Sequence, residues 1–247
     1  MTLDQQIAKL DELFGSYKAE WLNEKIFHFF ATPSYFNVFK DNRPCVLIGG
    51  RGTGKTTVLR GLSYQGQYAL NHHDTNHVHA FSGRGIEKET WVNIFAHYFN
   101  LIITYDILCC LAWHKTKRPE DEVLSEHACK LIAISLHLDE GIKDFDSLLK
   151  LLEMAMYRFQ AEVNSIADGN MPKLSMAGDP IRIVTEQSRQ LRQFQGKTFY
   201  LLVDEYENLL DEQQQILNTL LKHTPQSYTT KIGVREMARR VRYTLNN

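Results

Sequence analysis

Along this 247-residue chain the apolar positions recur mostly with a helical period. Leu3, Ile7, Leu10 and Phe14 share one face behind a capping box of Thr2 and Gln5, and an amphipathic, aromatic-rich helix is predicted over Trp21–Phe30. "TPSYF" (Thr32–Phe36) breaks it and "DNRP" (Asp41–Pro44) reads as a turn. The period then changes. "CVLIGG" is the continuous apolar run of a short buried strand, followed by a helix from near Gly54 to near Tyr64. "HVHAFSG" (His77–Gly83) alternates and predicts a second strand. From about Glu87 to Gln195 the pattern is helical throughout. One helix follows Trp91–Trp113, one runs from after Pro119 to near His137, and one is bracketed by Asp144 and Gly169. A fourth has Asp179 as N-cap with Pro180 at the first helical position, and stops at Gly196. "FYLLVDE" is a third strand ending in two acids, Asp211–His223 a helix, and "YTTKIGV" (Tyr228–Val234) a fourth strand. "REMARRVRYTL" then begins a basic helix or tail.

This alternation predicts a parallel α/β sheet flanked by helices. The stretch of about 110 residues between the second and third strands far exceeds a minimal crossover, so a large helical insert is expected at about 87–195. Residues 1–43 form an N-terminal helical segment in this reading, and 44–247 the core that carries the insert.

Composition narrows the function classes. With 43% hydrophobic and 23% charged residues the chain can bury a sizeable core. A formal net charge of −1 removes any global basic field, so nucleic acid would need a local patch. Cys45, Cys109, Cys110 and Cys129 form no CxxC pair and read as buried thiols of a reducing compartment, neither a disulfide framework nor a zinc site. "MTLDQQIAKLDELF" has no apolar signal region, and the expected location is cytoplasmic. Trp91–Trp113 is long enough to cross a bilayer. Asn93, His97, Asn100 and Thr104 lay a polar stripe along it, however, and Asp106 adds a charge, which predicts a buried helix and no membrane contact.

The chemistry concentrates where the first strand ends. Gly49, Gly54, Lys55 and Thr56 satisfy G-x-x-x-x-G-K-[ST] between a strand and a helix. In that context the loop Gly49, Gly50, Arg51, Gly52, Thr53, Gly54 can turn its N–H groups around a phosphate, helped by the helix N-terminus. Lys55 can reach the β- and γ-phosphates of ATP, the Thr56 hydroxyl can ligate Mg²⁺, and Thr57 supports the α-phosphate side. The competing reading is a glycine turn with a surface lysine. Asp204, ending the third strand, can hold the Mg²⁺ hydration shell, and Glu205 can polarise an attacking water as general base. Against this stands a buried strand that merely ends in acids. The pairing favours hydrolysis of a nucleoside triphosphate. "YTTKIGVRE" offers Thr229, Thr230 and, at the strand's end, Arg235, either a catalytic sensor of the γ-phosphate or a salt-bridged arginine. Arg239, Arg240 and Arg242 could act on a neighbour's nucleotide, bind DNA phosphates, or form a solvated face.

"GGRGTGKTTVLRGLSY", "LLVDEYENLLDEQQQILNTLLKH" and "KIGVRE" together resemble the additional-strand class of P-loop ATPases and, within it, bacterial origin-recognition-type AAA+ ATPases. The resemblance implies a strand order 5-1-4-3-2, an ATP site at the C-terminal strand ends, and homo-oligomerisation or coupling to a partner effector protein. Some such ATPases serve genome maintenance or anti-phage defence. A small helical lid with a second sensor arginine and a fifth strand have no place before Asn247, so the lid and effector are expected outside this chain.

Other constellations are weaker. His72, His73, Asp74, His77 and His79 lack zinc-site spacing, and "FSGRG" (Phe81–Gly85) lacks the leucine and glutamine of an ABC signature. No GxSxG elbow is present. Tyr35 and Phe36 could pack on adenine or in the core. Three functions remain: an Mg²⁺-dependent ATPase driving a larger assembly, an ATP-gated scaffold with little turnover, and a DNA-binding recruiter supported only by the terminal basic run.

Overall fold

Three apolar runs pair side by side in the computed structural model: β1 (Cys45–Gly49), β2 (Phe199–Val203) and β3 (Tyr228–Arg235). Both pairings are parallel and the order is β1-β3-β2, so the strand latest in sequence lies in the middle. β3 is buried along its length up to Arg235, as a central parallel strand must be. The structure describes residues 5, 31–64, 87–138, 141–166, 170–222, 225–236, 241 and 244. The Thr2 capping box, the Trp21–Phe30 helix, the His77–Gly83 strand, the histidine-rich stretch 71–79, "FSGRG" and Arg239, Arg240 and Arg242 all fall outside them.

Strand periodicity sends alternate residues to opposite faces. One face carries Tyr200, Leu202 and Leu47. It packs on Phe36 and Phe39 from the short helix α1 (Phe36–Phe39) and on Val58, Leu59 and Leu62 from α2 (Lys55–Tyr64). Phe36 is fully buried there and Tyr35 is 44% exposed, so of the two readings of this pair core packing holds for Phe36. Lys231 lies on the same face, buried between the Phe39 and Tyr200 rings, with Nζ donating to the Asp41 and Arg43 carbonyls. Desolvation lowers its pKa, and these carbonyls and rings offset the cost.

The opposite face carries Val46, Leu201, Ile232 and Val234 into a larger core shared with α3 (Lys88–Lys117), α4 (Glu126–Ser135), α5 (Phe145–Asn164), α6 (Asp179–Ser188) and α7 (Asp211–Lys222). Among the described residues everything between Lys88 and Phe194 is helix, turn or loop. These helices are not a satellite, because their apolar faces and the sheet build one continuous core. Asp144 and Ser147 start α5 with a reciprocal capping box. α6 departs from expectation at both ends: it begins one residue early and stops at Ser188, with a separate 3₁₀ turn at Arg192–Phe194 before Gly196. Gly178, at φ 81°, is its N-cap, and Asp179 is already helical. The Asp179 carboxylate accepts from Arg182 instead of capping the backbone.

α3 is long and apolar enough to cross a membrane, yet its most apolar window is 78% buried inside the fold. Its polar stripe serves a docking purpose. His97 Nδ1 accepts from the Ser175 amide at 2.9 Å. Asn100 donates to Ser175 Oγ and the Met176 carbonyl and accepts from the Gly178 amide. Thr104 and Asp106 are buried as well, whereas Asn93 faces solvent. The stripe thus anchors the segment leading into α6. Burial, with a smaller contribution from His137, depresses the His97 pKa to about 4. The unfolded state, with the ordinary value near 6.5, therefore binds more protons between about pH 6.5 and 4, and stability falls as pH drops through that window. Urea unfolding at pH 7 and pH 5 should show a loss of about 2 kcal/mol from this group. A His97→Gln variant, which keeps an acceptor for Ser175, should lose that part of the slope.

Candidate functional site

The register explains why two segments about 150 residues apart meet. Tyr200 and Leu202 point to the face covered by α2, so Asp204, two residues further on, continues on the same side. Leu47 pairs with Gly233 and Gly49 with Arg235, which brings the end of β3 alongside the start of the glycine loop. All the chemistry therefore gathers at the C-terminal edge of the sheet, where α2 begins.

In the loop, Gly52 and Gly54 have φ of 77° and 82°, in the region where a Cβ would be strained. Lys55 folds back so that Nζ donates to the carbonyls of Gly49 and Gly50 at 3.0 and 2.8 Å, and Thr53 Oγ1 donates to the Gly50 carbonyl at 2.9 Å. Gly50 and Thr57 are half-buried, while Arg51, Gly52 and Thr53 are exposed. The loop is held from within by its own lysine and threonine, and its rim is open to solvent.

Across from it, Thr56 Oγ1 donates to Asp204 Oδ2 at 2.5 Å. Asp204 is buried, and its other oxygen accepts from the Glu205 amide at 2.9 Å. This placement requires a residue without a side chain on β3. A Cβ on Gly233 would lie 2.7 Å from Asp204 Oδ1 and 3.1 Å from Leu59 Cδ1. One hydroxyl and one carboxylate, both hard oxygens and already in contact, suit Mg²⁺, which takes few protein ligands and keeps much of its water. No cluster of three or more His, Cys, Asp or Glu side chains with metal-binding geometry exists among the described residues, so the alternative of a soft or imidazole site has no support there.

Glu205 leaves the strand in a left-handed conformation, φ 51° and ψ 37°, uncommon for a residue with a side chain. The cause lies one residue on. Tyr206 is buried, its one hydroxyl proton shared between Asn218 Oδ1 at 3.1 Å and the Gln214 carbonyl at 3.3 Å, and this pulls the chain sharply into the 3₁₀ turn Tyr206–Asn208. The Glu205 carboxylate stays at the exposed edge, where Oε2 accepts from Asn208 Nδ2 at 3.0 Å. A backbone held in a costly conformation by its surroundings is a feature common at functional sites.

Arg235 ends β3 beside the loop, and its side chain is 53% exposed. Its guanidinium faces Glu207, with Nε 3.6 Å from Oε1, and its amide donates to Glu207 Oε2. Thr229 and Thr230 are not part of this constellation. They pair with Tyr200 and Leu201 at the far end of the sheet and are fully buried. Sequence reasoning did not single out Gly233, Tyr206, Glu207 or Asn208. Only the glycine inside "KIGV" carried a signal, since a glycine in a buried strand marks a close approach.

A family model described as ORC-CDC6-like matches residues 12–247. No curated protein and no solved structure matches the chain.

Proposed function

Because the chain belongs to the ORC-CDC6-like family, whose members are origin-recognition-type AAA+ P-loop modules that bind ATP, we propose that it binds and hydrolyses ATP with Mg²⁺ as the motor or switch of a larger assembly. The observation that carries this reading is the Thr56–Asp204 contact, which joins the phosphate loop to the acid-bearing strand end. In this reading the loop amides of Gly50–Thr57 hold the phosphates, and Lys55 exchanges the Gly49 and Gly50 carbonyls for the β- and γ-phosphate oxygens. Thr56 and Asp204 are the residues that would hold Mg²⁺ there. Bound there, Mg²⁺ would neutralise developing phosphate charge. Glu205 orients and deprotonates the attacking water. Arg235 reads the γ-phosphate from the neighbouring strand end, with Glu207 fixing its position.

The sheet order supports the additional-strand class. β1, β3 and β2 correspond to the segment 1-4-3 of the implied order 5-1-4-3-2, with the extra strand inserted between the loop-bearing and acid-bearing strands. Oligomerisation is common in this family, and a second copy or an effector protein in the cytoplasm is the proposed recipient of the energy, in genome maintenance or anti-phage defence. DNA as a partner would rest on the basic run after Arg235. The test is phosphate release from ATP by the purified chain. Turnover that requires Mg²⁺ and stops on chelation is expected. Tight ATP binding with no turnover at any Mg²⁺ concentration would leave the scaffold reading in its place.

A further inference from the structure

On the helical side of the molecule, away from the phosphate loop, a cavity of about 410 Å³ opens between α3, α5, the segment after α4 and residues 170–173. That volume is in the range of small-molecule sites. Leu101, Leu151, Ala155 and Phe159 make its apolar floor.

Three polar features distinguish it from a packing defect. First, His97 is 4% exposed and lines the wall. Its Nδ1 accepts from the Ser175 amide, which places the ring proton on Nε2. That N–H has no hydrogen-bond partner among the described residues, so an unpaired donor is offered to whatever occupies the cavity. Second, Arg158 and Lys173 stand at the mouth, exposed and engaged in no ion pair among the described residues. Arg158 is spaced i,i+4 from Glu162 on α5, in the weaker Arg-before-Glu order, and no salt bridge forms between them. Among the described lining residues the mouth carries a net positive charge. Third, His137, also on the rim, adopts φ 57°, a strained conformation for a residue with a side chain.

An apolar floor, an unpaired hydrogen-bond donor and two cationic side chains together suit one kind of ligand. We propose that this cavity binds a small apolar carboxylate, its hydrocarbon body over Leu101, Leu151 and Phe159. The carboxylate lies within reach of Arg158 and Lys173, and an acceptor atom of the ligand takes the His97 Nε2–H. Among the described lining residues, two positive side chains face the one carboxylate of Glu162, which disfavours a cation, and a purely apolar ligand would leave the His97 donor unpaired.

The probes are octanoate, phenylbutyrate and indole-acetate, each beside its neutral amide. Binding is followed by titration calorimetry and by the imidazole resonances of His97. At least one acid should bind with Kd of about 1 mM or tighter and shift the His97 ring signals. The double variant Arg158→Gln/Lys173→Gln, confined to exposed side chains, should weaken that acid by about tenfold and leave its amide unchanged. Thermal unfolding of the variant confirms that the fold is kept. The proposal is overturned if none of the acids moves the His97 resonances. It also fails if acid and amide bind alike, or if the double variant retains the acid's affinity.

Discussion

Replacing Lys55 with alanine is expected to abolish measurable ATP binding while the chain stays folded. The two halves of this statement rest on different energies. In the structure the ammonium is satisfied by two neutral carbonyls, those of Gly49 and Gly50. Binding exchanges these for phosphate oxygens that carry full charge, and the gain is the difference. Charge-assisted hydrogen bonds are worth roughly 1.5–3 kcal/mol each against about 1 kcal/mol for neutral ones. With contacts to two phosphates the loss is about 1–4 kcal/mol, up to a factor of about 10³ in Kd. The same truncation removes only two bonds inside a half-buried loop and touches neither core cluster. The stability cost should stay near 1–2 kcal/mol, a fall in Tm of a few degrees. Lys55→Met keeps the stem and removes the charge, so it should bind as poorly as the alanine variant. Titration of a fluorescent ATP analogue, paired with thermal unfolding of each variant, checks both halves. Unchanged affinity in either variant would remove the phosphate-loop assignment.

What could be read from the sequence follows from the range of the forces involved. The glycine loop, β1 and α2 are specified locally, by left-handed positions at Gly52 and Gly54 and by an uninterrupted apolar run, so their bounds were predictable to a residue or so. The start of α5 is equally local, with Asp144 as its cap, whereas its end at Asn164 falls several residues short of the expected Gly169. The Asp179 cap was misplaced by one position because Gly178 answers to a tertiary contact, its amide donating to Asn100 on a helix far back in the chain. The order of the strands is likewise a tertiary fact, since nothing local in "YTTKIGV" says it lies between the other two. The surroundings of the acids were the least legible. Gly233 matters because Asp204 lies against it, Tyr206 because it pulls the backbone of Glu205 into a left-handed turn, and Glu207 because it faces Arg235. Each is a contact across strands or turns, and no hydrophobic period records it. The polar stripe of α3 was visible as a stripe, but its partners at Ser175 and Met176 were not.

A Glu205→Gln variant should keep ATP affinity within a factor of a few and lose turnover by about 10²–10⁴. Glutamine is nearly isosteric and retains an oxygen that can accept from Asn208 Nδ2, so the local turn has no reason to move. The left-handed backbone at this position is imposed by the burial of Tyr206, and glutamine tolerates it about as well as glutamate does. Asp204 would still accept from the residue 205 amide and from Thr56, so phosphate and metal binding are preserved. What disappears is a carboxylate able to take a proton at the exposed edge of the site. Measuring steady-state phosphate release and equilibrium ATP binding on the same samples separates the motor from the scaffold, two of the three functions left open by the sequence. A motor shows a large drop in the first quantity and almost none in the second. Equal, negligible rates in wild type and variant, with tight binding in both, would mean that ATP acts here as a structural ligand, and that the strained turn at Glu205 serves to position the loop rather than a water molecule.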